Sequence, residues 1–134
     1  MIYVIGIGPG SKEMMTIEAI EAMKNSEVIV GYKTYINLIT EFIKDKEVVQ
    51  NGMRQEIDRC KQAVEIAKEG KNVAVISSGD AGIYGMAGLI LELVTQEEQD
   101  IKVKVVPGVT ASIGAAAILG APIMHDFCHI SLSD

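Results

Sequence analysis

Three turns hold the residues whose types and spacing could do chemistry. Ser77-Ser78-Gly79-Asp80-Ala81-Gly82-Ile83-Tyr84-Gly85 sets one carboxylate, Asp80, among small residues, with glycine at every third position (Gly79, Gly82, Gly85). It follows the apolar run Val73-Ala74-Val75-Ile76 and precedes a second apolar run over 86–94. Gly6-Ile7-Gly8-Pro9-Gly10 and Pro107-Gly108-Val109-Thr110 stand in equivalent places, each after a β-branched run. Open α/β sheets bind ligands beyond the carboxyl ends of their strands, and glycine lets a backbone approach another surface closely. Such turns suit backbone hydrogen bonding to a neutral or zwitterionic ligand in an uncharged crevice, with Asp80 as its one obvious anion. Taken singly, 6–10 is most simply a tight turn and Asp80 a helix N-cap. Three small-residue turns on one sheet edge point to a site.

Other sites are excluded. A dinucleotide fingerprint would need glycine where Ser11 stands and an acid ~20 residues on, where the chain has Gly31-Tyr32. Neither a P-loop nor a G-x-S-x-G elbow occurs. Cys60 and Cys128 are far apart, without the spacing of a disulfide framework or a zinc site, and Cys60 falls on an apolar stripe. His125 and His129 are four apart, but they follow Ala121-Pro122 and enter a predicted strand, where they would not converge, so no metal site is expected. The net charge is −6. No basic cluster is free of acids, which argues against nucleic acid. No apolar run approaches the ~18 residues of a membrane span. The N-terminus enters a strand without the features of a signal peptide, so a cytoplasmic location is expected.

These turns must be positioned by a regular scaffold. Its 134 residues, half of them apolar, suffice for one core. Strands are predicted at 2–7, 28–30, 47–50 (weak), 72–76, 102–106 and 127–132. Between them lie five helices. The first, 17–24, is capped by Thr16 and turns Ile17, Ile20 and Met23 inward. The second, 34–43, buries Ile36, Ile39 and Ile43. The third, 54–69, carries Ile57, Cys60, Val64 and Ala67 on its apolar face and stops at Gly70. The fourth runs from Met86 to about Thr95, and the fifth, 111–119, stops at Gly120. Regular alternation predicts an α/β fold: βα units forming a mainly parallel five-stranded sheet flanked by helices, plus the first strand of a second domain. The expected division is an N-terminal domain at 1–120, with a linker and that strand at 121–134.

The turn motifs, in this order and strand context, resemble the tetrapyrrole (class III) S-adenosylmethionine methyltransferases. Gly31-Tyr32-x-x-Tyr35, Gly52-Met53-Arg54-x-Glu56-x-x-Arg59, 77–86 and Ala121-Pro122-x-x-His125-Asp126-Phe127 with Ile130-Ser131-Leu132-Ser133-Asp134 resemble the cobalt-precorrin-3B C17-methyltransferases within that superfamily. The resemblance covers the whole chain and implies two α/β domains with the cofactor in the cleft between them. It implies methyl transfer from S-adenosylmethionine, leaving S-adenosylhomocysteine, to a cobalt-precorrin at C17 with ring contraction, in anaerobic cobalamin biosynthesis.

Carried over by position, Pro9, Gly79, Asp80, Ile83, Thr110 and Ala111 are the expected cofactor contacts. Gly8, Gly10, Arg54 and Arg59 are the expected substrate contacts, the guanidinium groups pairing with propionate or acetate. Tyr32, Tyr35 and His125 are candidate acid–base groups for ring contraction, with Glu56 and Asp126 nearby. Competing readings are a packing pair for the tyrosines and a solvated helix face for Arg54, Glu56 and Arg59. Asp80 has a binding or organising role, because the sulfonium charge disperses in the transition state. Cobalt belongs to the substrate, and a homodimer is expected. The chain ends where the second domain is expected to begin, so alone it is expected to be inactive. The alternatives are another tetrapyrrole methylase, or a non-catalytic binding or dimerisation half-domain with an unpaired strand at 127–132.

Overall fold

The computed structural model describes residues 1–132. Its elements are β1 (Ile2–Gly6), α1 (Ile17–Lys24), β2 (Val28–Tyr32), α2 (Lys33–Leu38), β3 (Glu47–Asn51), α3 (Glu56–Lys68), β4 (Val73–Ser77), α4 (Ala87–Thr95), β5 (Val103–Val106) and α5 (Ala111–Leu119). The sheet order is β3-β2-β4-β1-β5, and every pairing is parallel. This is the predicted alternating architecture. The order puts β4, β1 and β5 side by side, so the three glycine-rich turns adjoin at the carboxyl edge.

The central strands are buried on both faces, which is why they read as continuous apolar runs. Ile2, Val4, Val73 and Val75 face α3 and α4. Ile5, Ile29, Ala74 and Ile76 face α1 and α2. Thr16 caps α1 by accepting from the Ala19 amide at 3.0 Å.

Four expectations are corrected. In α1, Met23 is buried and Ile20 packs partly buried against the same core, as expected, and Ala19 and Ala22 join them, but Ile17 is 77% exposed; at ~100° per residue Ile17 stands opposite Ala19. Ile57 is exposed in the first turn of α3, at the sheet's carboxyl edge, while Cys60, Val64 and Ala67 are buried. The helix predicted over 34–43 breaks at Ile39 into a 3-10 turn at Thr40–Phe42, and Ile36, Ile39 and Ile43 stay buried through the break. The predicted strand at 127–132 does not form: residues 120–132 contain no helix or strand. A strand needs a neighbouring backbone to pair with, and neither sheet edge accepts this segment. It instead lies against the turn after β4 and the start of α5, with the Tyr84 hydroxyl donating to the His129 carbonyl at 3.0 Å and Ser112 Oγ bonded to His129 Nε2. The last two positions of the motif, Ser133 and Asp134, lie outside the described residues.

The turns lock together backbone to backbone. Gly8 N–H donates to the Gly79 carbonyl at 3.0 Å, and Gly79 N–H donates to the Gly8 carbonyl at 2.8 Å. A Cβ on Gly6 would sit 2.6 Å from the Gly79 oxygen. A Cβ on Gly108 would press on that same oxygen and lie 2.7 Å from the Gly6 oxygen. Gly108→Ala is therefore expected to lower the unfolding free energy by about 2–4 kcal/mol in urea denaturation, since only backbone stands in the way. Gly88→Ala, on an exposed position of α4 with open space around it, is expected to raise it by about 0.5–1 kcal/mol in the same measurement.

Candidate functional site

Asp80 organises the junction of the turns. Its Oδ2 accepts from the amides of Gly82 at 2.8 Å and Ile83 at 3.2 Å, closing its own turn. Its Oδ1 accepts from the Gly108 amide at 2.8 Å, tying that turn to the one after β5. It does not cap α4, which begins at Ala87 after Met86. The Met86 amide donates to Ser77 Oγ at 3.2 Å.

Around this junction the structure gathers most of the residues expected to meet a cofactor. A Cβ on Gly79 would lie 3.5 Å from both Thr110 Cα and Ala111 N, and the Pro9 ring packs over Gly114 of α5. Thr110 is the extended residue before α5; its carbonyl accepts from Ile113 and Gly114, and its side chain makes no capping bond. The first amides of a helix have no acceptor within it, so α5 presents donors beside Gly79. Ile83 stands on the Asp80 turn, 38% exposed. Gly8 is buried with its amide and carbonyl both bonded to Gly79, and Gly10 is half-buried.

A second feature adjoins the first. A cavity of about 550 Å³ opens between the ends of β2 and β4 and the start of α3. Tyr32 and Tyr35 line it, edge to face with ring centroids 5.2 Å apart, as do Arg54, Glu56 and Arg59. The solvated-face reading holds for Arg54 and Glu56, which are exposed, and fails for Arg59, whose side chain is 3% exposed. Arg59 lies inside because its guanidinium has local partners. Nη1 donates to the Gly52 carbonyl at 2.9 Å, Nη2 is 3.5 Å from Glu56 Oε1, and Cζ lies over the Tyr32 ring at 5.9 Å from its centroid. His125 is exposed and lies outside this cavity, so the structure separates it from the two tyrosines. Among the described residues no group of three His, Cys, Asp or Glu could hold a metal ion.

Residues not singled out from sequence also line the cavity. Tyr84 is 69% exposed and holds a left-handed backbone at φ 53°. Its signal was its place between Gly82 and Gly85. Met53 and Ser78 line it as well; both stand inside motifs quoted for the resemblance, which gave them no role.

An all-parallel sheet with interlocked glycine turns and an adjoining cavity at its carboxyl edge defines an α/β ligand-binding domain. The chain belongs to the tetrapyrrole (corrin/porphyrin) methylases, whose family model matches residues 1–134. It is 63% identical to a probable cobalt-factor III C(17)-methyltransferase of Salmonella typhimurium, over all of this chain and 56% of that protein. It is 38% identical to the precorrin-3B C(17)-methyltransferase of a Sinorhizobium species, over 99% of this chain and 53% of that protein. The crystal structure of the methyltransferase CobJ superposes with a TM-score of 0.91 at 38% identity, over 99% of this chain and 56% of that one. The chain thus spans about half the length of these relatives.

Two outcomes follow for the site. Asp80→Asn replaces one acceptor oxygen by a donor facing a backbone amide, and is expected to destabilise the fold by about 1–3 kcal/mol in urea denaturation. Cys60, buried beside Arg59 with its sulfur 3.7 Å from Met86 Sδ, titrates late. Burial pushes its thiol from 9.0 up to about 11, Arg59 opposing and Glu56 assisting. The unfolded thiol ionises first, so this contribution to stability is complete below pH 9.0 and declines as pH rises to about 11. Cys60→Ala is expected to flatten the fall in unfolding free energy over that window.

Proposed function

We propose that residues 1–120 supply the first α/β domain of an S-adenosylmethionine-dependent enzyme that methylates a cobalt-precorrin at C17 with ring contraction, in cobalamin biosynthesis. Residues 121–134 lead into a second domain that completes the cofactor cleft. The observation that carries this reading is the 63% identity, along the entire chain, to a protein named for cobalt-factor III C17 methylation.

The site's chemistry fits. Asp80 already holds three backbone amides, so it acts by fixing the crevice. Pro9, Gly79, Thr110 and Ala111, with the open amides of α5 and the apolar Ile83, would hold the zwitterionic and apolar parts of the cofactor. When bound, S-adenosylmethionine supplies a methyl group activated by its sulfonium. The chain's part is alignment of the ring carbon with that methyl group, which positioning alone can largely provide. The adjoining cavity would take the substrate's edge, with Arg54 on its carboxylate side and the Tyr32 and Tyr35 hydroxyls as candidates to exchange protons during contraction. The cobalt enters with the substrate. A homodimer and a cytoplasmic location belong to the same reading. Among the described residues no helix is long and apolar enough to cross a membrane.

The test is transfer of labelled methyl from S-adenosylmethionine to cobalt-factor III by the protein carrying both domains, with the product mapped by NMR. Label at C17 is the expected result. Label at another ring carbon, or none, overturns the assignment.

A further inference from the structure

Arg54 and Arg59 have the same charge and line the same cavity, but the structure gives them opposite surroundings. Arg59 is committed within the protein. Its side chain is 3% exposed, Nη1 holds the Gly52 carbonyl at 2.9 Å, Nη2 lies 3.5 Å from Glu56 Oε1, and Cζ lies over the Tyr32 ring, 5.9 Å from its centroid. Its Nε is buried without a partner among the described residues, an arrangement that is costly. Arg54 is the reverse. It is exposed, has no hydrogen bond or ion pair among the described residues, and lines the cavity. Its backbone is left-handed at φ 62°, a conformation that disfavours side-chain-bearing residues and persists where the surroundings enforce it. Two contacts hold the loop. The Gly52 carbonyl is pinned by Arg59, and the Gly52 amide donates to Gln55 Oε1 at 3.2 Å. The loop carrying Arg54 is thus clamped from below by Arg59.

We propose that Arg54 alone meets a carboxylate of the substrate, and that Arg59 is a positioning residue that acts through it by holding the 52–55 loop and the Tyr32 ring. This deepens the tetrapyrrole reading and rests on it. Arg59, with a side chain only 3% exposed and its Nη1 and Nη2 turned to Gly52 and Glu56, has little surface left to offer a ligand. Arg54, unpartnered among the described residues on a strained, clamped loop, can present its fork, which matches a carboxylate.

The experiment uses two corrinoids as probes, dicyanocobyrinic acid with free carboxylates and its neutral heptamethyl ester, each titrated into the protein carrying both domains and followed by absorbance. The reading is the ratio of acid to ester affinity, which separates carboxylate recognition from contact with the ring. Wild type is expected to prefer the acid, and Arg54→Gln to reduce that preference roughly tenfold, as the loss of one charge-assisted contact should. Arg59→Met is expected to reduce it too, and Arg59→Lys, which keeps a donor for the Gly52 carbonyl, to restore most of it. In the Arg54→Gln background Arg59→Met is expected to change the ratio no further, because a residue acting through another is silent once that other is gone. A further loss in the double variant, or a preference that survives Arg54→Gln, overturns the assignment while leaving the corrinoid reading standing. A wild-type protein carrying both domains that binds neither probe overturns both. Urea denaturation adds a reading that needs no ligand: Arg54→Gly is expected to raise the midpoint by relieving the left-handed strain, and a lowered midpoint counts against the clamped-loop geometry.

Discussion

The contact on which the rest of this structure depends is the bridge from Asp80 to the Gly108 amide, made across a gap that only glycine backbones can leave so narrow. Oδ1 of Asp80 reaches the turn after β5 while Oδ2 closes the turn after β4. Gly8 and Gly79 exchange a pair of backbone bonds alongside. The carboxyl ends of three parallel strands are thereby joined into one rigid surface. Without the bridge, the amides of Gly82, Ile83 and Gly108 would lose a shared acceptor, and the N-terminus of α5 would lose its fixed place beside Gly79.

That surface divides the edge into two chemistries. On the β1–β5 side it is almost all backbone, small and uncharged, matched to a ligand recognised by amides. On the β2–β4 side it opens into a cavity of side chains with three phenols and two guanidinium groups. Under the proposed function, a small cofactor and a large polycarboxylate substrate would call for such unlike neighbours. The two regions meet at the 77–86 turn, which touches both. The left-handed residues Arg54 and Tyr84 stand on the cavity side, where strain is tolerated because neighbouring contacts over-determine the backbone.

Much of the fold was legible from local pattern. Strands buried on both faces announce themselves as unbroken β-branched runs, and β1, β2 and β4 read that way. The Thr16 cap and the Gly120 stop, with φ 64°, are local chemistry and were readable for the same reason. Errors arose where an inward face is chosen by what lies opposite. Ile17 is as apolar as any core residue but follows the phase set by Ala19 and Met23. The segment at 127–132 has strand composition but no backbone to pair with.

The sequence by itself determined the alternation of elements, the three glycine turns and the family those motifs resemble, because each depends on residues near in the chain. Only the tertiary structure decided what the glycines are for. Their close approach is to one another, with Gly6, Gly79 and Gly108 packed backbone to backbone, and the surface left over is what a ligand would meet. It also decided that Arg59 is interior and Arg54 is not, which composition reads as one charged helix face. Burial is set by the strand order β3-β2-β4-β1-β5 and by where α3 comes to rest on it. No local stretch of chain carries that information, because the partners that clothe Arg59 include Tyr32, brought to it by the folding of the sheet.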